Sequence, residues 1–152
     1  METSTKGDTA IRHRVGIEAP IEDVARALET VEGLRSWWTR TVEGDTAVGG
    51  KVVFTFGPGR GVTMEVLESG PTQLVWRAVE GPEEWVGNDL TFELREADGE
   101  TVLLFTHLWR EPVEFMHHCS TKWGMFLLSL KDAVETGGGT PFPHDRHISS
   151  WS

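Results

Sequence analysis

His107 is the residue of this sequence best suited to chemistry. It sits among apolar neighbours in the run Thr101 to Trp109. An imidazole in such surroundings can anchor a ligand carbonyl or hydroxyl, or act as acid or base near neutral pH. It can equally be a buried neutral ring satisfied by a backbone group. His117, His118 and Cys119 are consecutive and carry metal-ligand side chains. Adjacent helical residues diverge by about 100°, so the three cannot converge on one ion. The same divergence argues against Cys119 and His118 as a nucleophile pair. His144 and His147 have helical spacing but no third ligand, and they fall in a stretch expected to be loose. The glycine-rich Gly57-Pro58-Gly59-Arg60-Gly61 lacks the Lys-Ser/Thr of a phosphate loop, and a strand follows where a helix should. It reads as a flexible hairpin tip at a cavity mouth. There is no G-x-S-x-G elbow and no H-E-x-x-H. Glu83 and Glu84 fall in a loop and are not read as catalytic. No catalytic set, metal site or cofactor is expected, and His107 is the candidate should the protein be an enzyme.

The bulk composition excludes several classes. The chain has 152 residues, 14 basic and 24 acidic, for a net charge of −10. That acidity argues against nucleic-acid binding and stable membrane association. No apolar stretch approaches a membrane span and the start METSTKGDTA is polar, so a cytoplasmic protein is expected. One cysteine excludes an intrachain disulfide framework. Seven Trp and seven Phe stand beside no Tyr, so any chemistry must do without a phenol. Between Glu80 and Glu100 eight acidic residues accompany a single base, Arg95. This segment is either a solvated hairpin edge or a contact patch for a basic partner.

The elements that must position these residues follow from periodicity. Residues 1–10 read as a flexible lead, 11–136 as one domain and 137–152 as a tail. Ile11, His13, Val15 and Ile17 alternate with polar residues as a strand. Ile21, Val24, Ala25 and Leu28 mark a short amphipathic helix over 20–30, with Pro20 at its start and Gly33 as its breaker. A second helical turn is expected over 34–39, around Trp37 and Trp38. Strands are expected at 40–45, 51–56, 62–68, 72–79, 85–96 and 101–109, about seven in all with the first. Asp98-Gly99 is a strong hairpin turn between the last two. Pro112 opens a long helix to about Thr136, with Phe115, Met116, Cys119, Trp123, Phe126, Leu127, Leu130 and Val134 on one face. Gly137 to Gly139 and Pro141 end it.

This order is α+β, with antiparallel pairing on its turn lengths. A curved antiparallel sheet needs its concave face covered, and only the final helix is long enough. A sheet that grips a helix without closing on it leaves a cavity at one end, where small apolar ligands bind.

The start resembles the START-like (SRPBCC) superfamily, in the branch similar to activators of heat-shock-protein-90 ATPase. The matching residues are Ile17-Glu18-Ala19-Pro20 followed by Val24 and Ala27-Leu28, then Trp37 or Trp38 after the first helix pair, and Gly49-Gly50 before the third strand. Thr101 to His107 and Gly124 to Leu130 match the last strand and helix, so the similarity covers about 11–142. The resemblance implies a helix-grip fold: about seven curved antiparallel strands around a long C-terminal helix, with two short helices after the first strand. It also implies a hydrophobic cavity between sheet and helix. On that pattern Leu103, Phe105, His107 and Trp109 face inward, as do Leu74, Trp76 and Ala78, and Leu90, Phe92 and Leu94. Met116, Cys119, Trp123, Phe126 and Leu127 stand opposite. Trp38, Phe54, Trp76, Phe92, Phe105, His107, Trp109, Met116, Cys119, Trp123 and Phe126 are the expected ligand-binding residues, against the plainer reading that most of them pack the core. The expected function is binding of a small aromatic, polyketide-like or lipid-like molecule. The alternatives are a cyclase or hydrolase using the same cavity, or a co-chaperone-like interaction module. The co-chaperones of that branch carry an additional chaperone-binding domain, for which this chain is too short, so chaperone activation is not expected. Val102 and Leu104 read as apolar on the outer face and would support a homodimer.

Overall fold

The computed structural model describes residues 9–152, so the flexible lead expected at 1–10 falls, up to residue 8, outside the described residues. Thr9 is buried and donates its hydroxyl to the Trp109 carbonyl at 2.9 Å. Strand β1 begins one residue later and spans Ala10–Ile17. Helices α1 (Ile21–Glu29) and α2 (Val31–Arg35) follow, then β2 (Thr41–Gly44), β3 (Lys51–Thr55), β4 (Gly61–Ser69), β5 (Gln73–Glu80), β6 (Asp89–Ala97), β7 (Glu100–Leu108) and α3 (Glu114–Thr136). The seven strands form one antiparallel sheet in the order β1-β7-β6-β5-β4-β3-β2. Its one non-local pairing is β1 with β7, which the two early helices make possible by carrying the chain to the opposite edge. Register shifts in β4 at Thr63/Met64 and Val66/Glu68 bend the sheet around α3. This is the helix-grip architecture expected from the sequence.

Local chemistry explains the boundaries. Pro20 caps α1 in an extended conformation, and Glu22 and Asp23 sit at the positive end of the helix. The break after α1 is at Thr30, not at Gly33 as expected. Thr30 is extended, and its hydroxyl accepts from the Gly33 amide at 2.9 Å to cap α2. Gly33 lies inside α2 for a packing reason: a Cβ there would meet the Arg26 carbonyl oxygen at 2.5 Å. Asp98 and Gly99 both have positive φ, 56° and 82°, as a two-residue hairpin turn requires. The expected strand start at Trp85 is also corrected. Residues 82–88 form a compact turn held by the Trp85 and Val86 amides on the Pro82 carbonyl, and β6 begins at Asp89. Helix α3 ends on Gly137 at φ 81°, with the Gly137 and Gly138 amides closing on Ala133 and Asp132.

Alternation along β5, β6 and β7 puts Leu74, Trp76, Ala78, Leu90, Phe92, Leu94, Leu103, Phe105 and His107 in the interior, against Cys119, Trp123, Phe126, Leu127 and Leu130 of α3. Val102 does not face solvent as expected. It is fully buried, outside the main core cluster, between Gly16 and Arg95 in the ladder, and Leu104 is half-buried. The acidic 80–100 segment is mostly exposed on its charged positions, with Asp89 paired to Arg77 at 2.7 Å. Among the described residues no helix is long and apolar enough to cross a membrane.

The C-terminal stretch corrects another expectation. It is not loose. The Arg40 amide donates to the Phe142 carbonyl at 3.1 Å and the Phe142 amide to the Trp38 carbonyl at 2.9 Å. Ser129 of α3 accepts from the Thr140 amide at 2.7 Å. Further on, Lys122 of α3 binds Asp145, the Arg146 carbonyl at 2.8 Å and the Ser152 oxygen at 3.3 Å. The segment thus returns along α3 toward its N-terminal half.

Candidate functional site

The loops β3–β4 and β5–β6 emerge at the same end of an antiparallel sheet, because both follow a strand running in the same direction. The first half of α3 arrives there after β7, and the C-terminal stretch folds back to it. Between them lies an open pocket of about 830 Å³. Its floor carries Trp38, Trp123, Phe126 and Cys119. Its rim carries Phe56, Arg60 and Val62 from one side, Glu84 and Trp85 from the other, and Phe115, His118 and Lys122 from α3. Phe142, Asp145 and Trp151 close the remaining side.

Aromatic contacts build the walls. Trp38 touches Trp123 at a centroid distance of 5.0 Å and Trp85 stacks on Trp123 at 6.1 Å and 17°. Phe142 meets Phe56 edge-on at 5.7 Å. Trp151 stands edge-on to both Phe115 and His118, at 5.6 and 5.7 Å. Such flat surfaces suit a planar or acyl guest.

The polar groups of the wall are few. Lys122 and Asp145 form an ion pair with side chains only 13% and 8% exposed, and the ammonium also lies 5.2 Å from the Phe126 ring centre. His118 meets the Ser149 hydroxyl at 2.8 Å through Nδ1 and stacks on Phe115. Burial, and then the Lys122 charge, hold the His118 imidazole below its ordinary value. Burial pushes the Cys119 thiol up to about 12. A thiol so held is not a nucleophile near neutral pH. Among the described residues no group of three or more His, Cys, Asp or Glu side chains could hold a metal ion.

His107 lies behind the pocket, not on it. It is fully buried in a cage of Trp85, Trp109 and Trp123. The Trp123 indole N–H donates to Nδ1 at 3.1 Å. An indole only donates, so Nδ1 accepts and the neutral ring carries its proton on Nε2. Nε2 stands 3.0 Å from the Asn88 side-chain amide. The same Asn88 amide nitrogen donates to the Glu84 carbonyl at 3.1 Å, which fixes the amide's orientation and leaves Asn88 Oδ1 buried without a partner. Burial lowers the imidazole to about 3. Its partners are thus side chains, where the plainer sequence reading expected a backbone group.

Of the expected ligand-binding residues, Trp38, Cys119, Trp123 and Phe126 line the pocket. Phe54, Trp76, Phe92, Phe105, His107 and Trp109 are buried side by side in the core behind it, and Met116 is half-buried against that core. Sequence reasoning did not select Phe56, Trp85, Phe115, Lys122, Phe142 or Trp151. A topological signal existed for Trp85: the β3–β4 and β5–β6 loops must share one end of a meander. Phe142 and Trp151 lie in a segment without periodicity, where no signal points to the pocket.

Comparison with known proteins agrees with this fold. No curated protein matches the chain. The solution structure of the Aha1 dimer from Colwellia psychrerythraea is 40% identical, with a TM-score of 0.78 over 86% of this chain and 98% of that one. The crystal structure of DynU16, from the dynemicin biosynthetic locus, is 20% identical with a TM-score of 0.76, over 89% of this chain and 50% of that one. CalU16 from Micromonospora echinospora is 18% identical, with a TM-score of 0.68 over 88% of this chain and 69% of that one. The last two share the fold alone. The family model described as activator of Hsp90 ATPase homolog 1-like protein matches residues 18–135. A match over most of the chain, on top of a shared helix-grip fold, places the protein in the family of activator of Hsp90 ATPase homolog 1-like proteins.

Proposed function

We propose that the protein binds a small hydrophobic molecule, without covalent chemistry, in the pocket between the β3–β4 and β5–β6 loops, the first half of α3 and the C-terminal segment. The supporting observation is an open space of about 830 Å³ walled by aromatic side chains, within the size of small-molecule sites. Apolar burial at about 25 cal/mol per Å2 supplies most of the affinity. The enzyme reading is weaker. His107 is neutral, caged by three indoles and absent from the pocket wall, and the Cys119 thiol is held protonated.

Nile red, a neutral apolar fluorophore, tests the reading. Its emission should rise on mixing with the protein. The Phe115→Ala, Trp151→Ala double variant should bind it at least about fivefold more weakly at unchanged circular dichroism. Equal binding by the double variant would move the ligand elsewhere. Native mass spectrometry of protein purified without detergent would reveal a retained natural ligand. A homodimer is proposed as well, because the relative at 40% identity is a dimer. Light scattering on a sizing column decides it, and a monomer at micromolar concentration overturns it.

A further inference from the structure

The charge around the pocket narrows the class of guest. Its wall holds five charged side chains: Arg60, Lys122, Glu84, Glu114 and Asp145. Lys122 and Asp145 neutralise each other in an almost fully covered ion pair. The carboxylates of Glu84 and Glu114 have no hydrogen-bond or ion-pair partner among the described residues, and both residues are exposed. The Arg60 guanidinium likewise has no partner among the described residues, at the tip of a glycine loop, so the groups left to meet a ligand are two carboxylates and one guanidinium.

The surroundings extend the bias. Glu83 adjoins Glu84 in the 80–100 segment, and the whole chain carries −10. The negative charge of Glu84 is felt at the Cys119 thiol on the pocket floor. The aromatic wall already receives one cation on its own account, since the Lys122 ammonium sits over the Phe126 ring at 5.2 Å. Ring faces are the negative pole of the aromatic quadrupole, so stacked indoles and phenyl rings favour a positive guest over a negative one of equal shape.

We propose that the pocket selects planar aromatic cations, apolar ring systems carrying a protonated or delocalised positive charge. The proposal rests on the pocket reading above and adds the sign of the charge. The ring system lies in the open space against the Phe115–Trp151 corner, and the charge faces the rim carboxylates Glu84 and Glu114. An anion of the same shape meets those carboxylates with no unpaired cation except Arg60. Lys122 cannot serve it unless Asp145 is displaced, and Asp145 is tethered beside it.

Isothermal titration calorimetry at pH 7.5 with three acridines tests this: proflavine (cation), acridine (neutral) and acridine-9-carboxylate (anion). Proflavine should bind tightest and acridine-9-carboxylate weakest, with about a tenfold or larger span between them. Glu84→Gln with Glu114→Gln should weaken proflavine by roughly three- to tenfold and leave acridine unchanged. Both positions are exposed, so the double variant keeps the fold, and circular dichroism checks this. Raising salt should weaken proflavine alone. If acridine or its carboxylate binds as tightly as proflavine, or if the double variant binds proflavine unchanged, the charge selection is wrong and the pocket reading stands. If none of the three binds, both fail.

Discussion

The aromatic interior has two halves made from the same kinds of residue. In one, Phe92, Phe105, Trp37 and Trp109 are at most 1% exposed and interlock with His107 and Trp123. In the other, Phe56, Phe115, Phe142 and Trp151 stand around an open space. The difference comes from backbone, not composition. Behind the pocket, β5, β6 and β7 present inward side chains at strand spacing directly under α3, and neighbouring rings meet. At the pocket, the lining comes from loop tips, the first half of α3 and the C-terminal segment, whose backbones stand apart. An aromatic side chain is core where neighbours enclose it on every side, and wall where one side is left open.

The sharpest way to break this comparison is to truncate one ring on each side. Phe105→Ala should cost about 3–5 kcal/mol of stability in urea unfolding, as deletion of a fully packed ring does. A cost below about 1 kcal/mol would mean that the sealed half is also loose.

A second test addresses the seam between the halves. Lys122→Met leaves the Asp145 carboxylate covered and unpaired and removes the contacts to the Arg146 and Ser152 oxygens. The expected loss is about 2–3 kcal/mol in stability, with faster amide exchange confined to about residues 142–152. Unchanged exchange there would show that the segment is held by its aromatic contacts alone.

The third concerns pH and the sealed half only. His107 folds neutral at about 3, while the unfolded chain takes up that proton near 6.5. Its contribution is therefore complete above about pH 6.5 and is lost as pH falls from there toward 3. The slope approaches about 1.4 kcal/mol per pH unit for the one proton involved. His107→Gln should remove that slope from denaturation curves measured between pH 6.5 and 4.5, whatever it costs at neutral pH.

The smallest expected effect lies on the pocket side. Trp151→Ala, with the ring 43% exposed, should change stability by less than about 1 kcal/mol. Ligand binding should change more than stability does. A large loss of stability would make Trp151 part of the core.

The order and type of elements were legible because period-two and period-3.6 patterns are long and unambiguous in β5 to β7 and in α3. The inward face of β7 through His107 came from the family resemblance, and the burial of Leu103, Phe105 and His107 agrees with it. Boundaries were less legible. Trp85 looks like strand by type, yet its amide closes a turn on Pro82. Gly33 looks like a breaker, yet it lets α1 and α2 approach. Val102 looks like outer surface, yet it is buried. The candidate site was legible only in part, because Trp38, Trp123 and Phe126 belong to periodic elements or lie beside them, whereas Phe142 and Trp151 do not.

What the amino-acid sequence determined alone is the set of faces: which side chains of each strand and of α3 share a side, and that the chain is rich in aromatics and acidic between Glu80 and Glu100. Side-chain direction is a local property of strand and helix geometry, so it can be read residue by residue. Which aromatics are enclosed on every side and which border open space was decided by the tertiary structure. That depends on where loop tips and the returning C-terminal segment come to rest, and such distances are set by chain reversal and long-range contacts, not by local pattern.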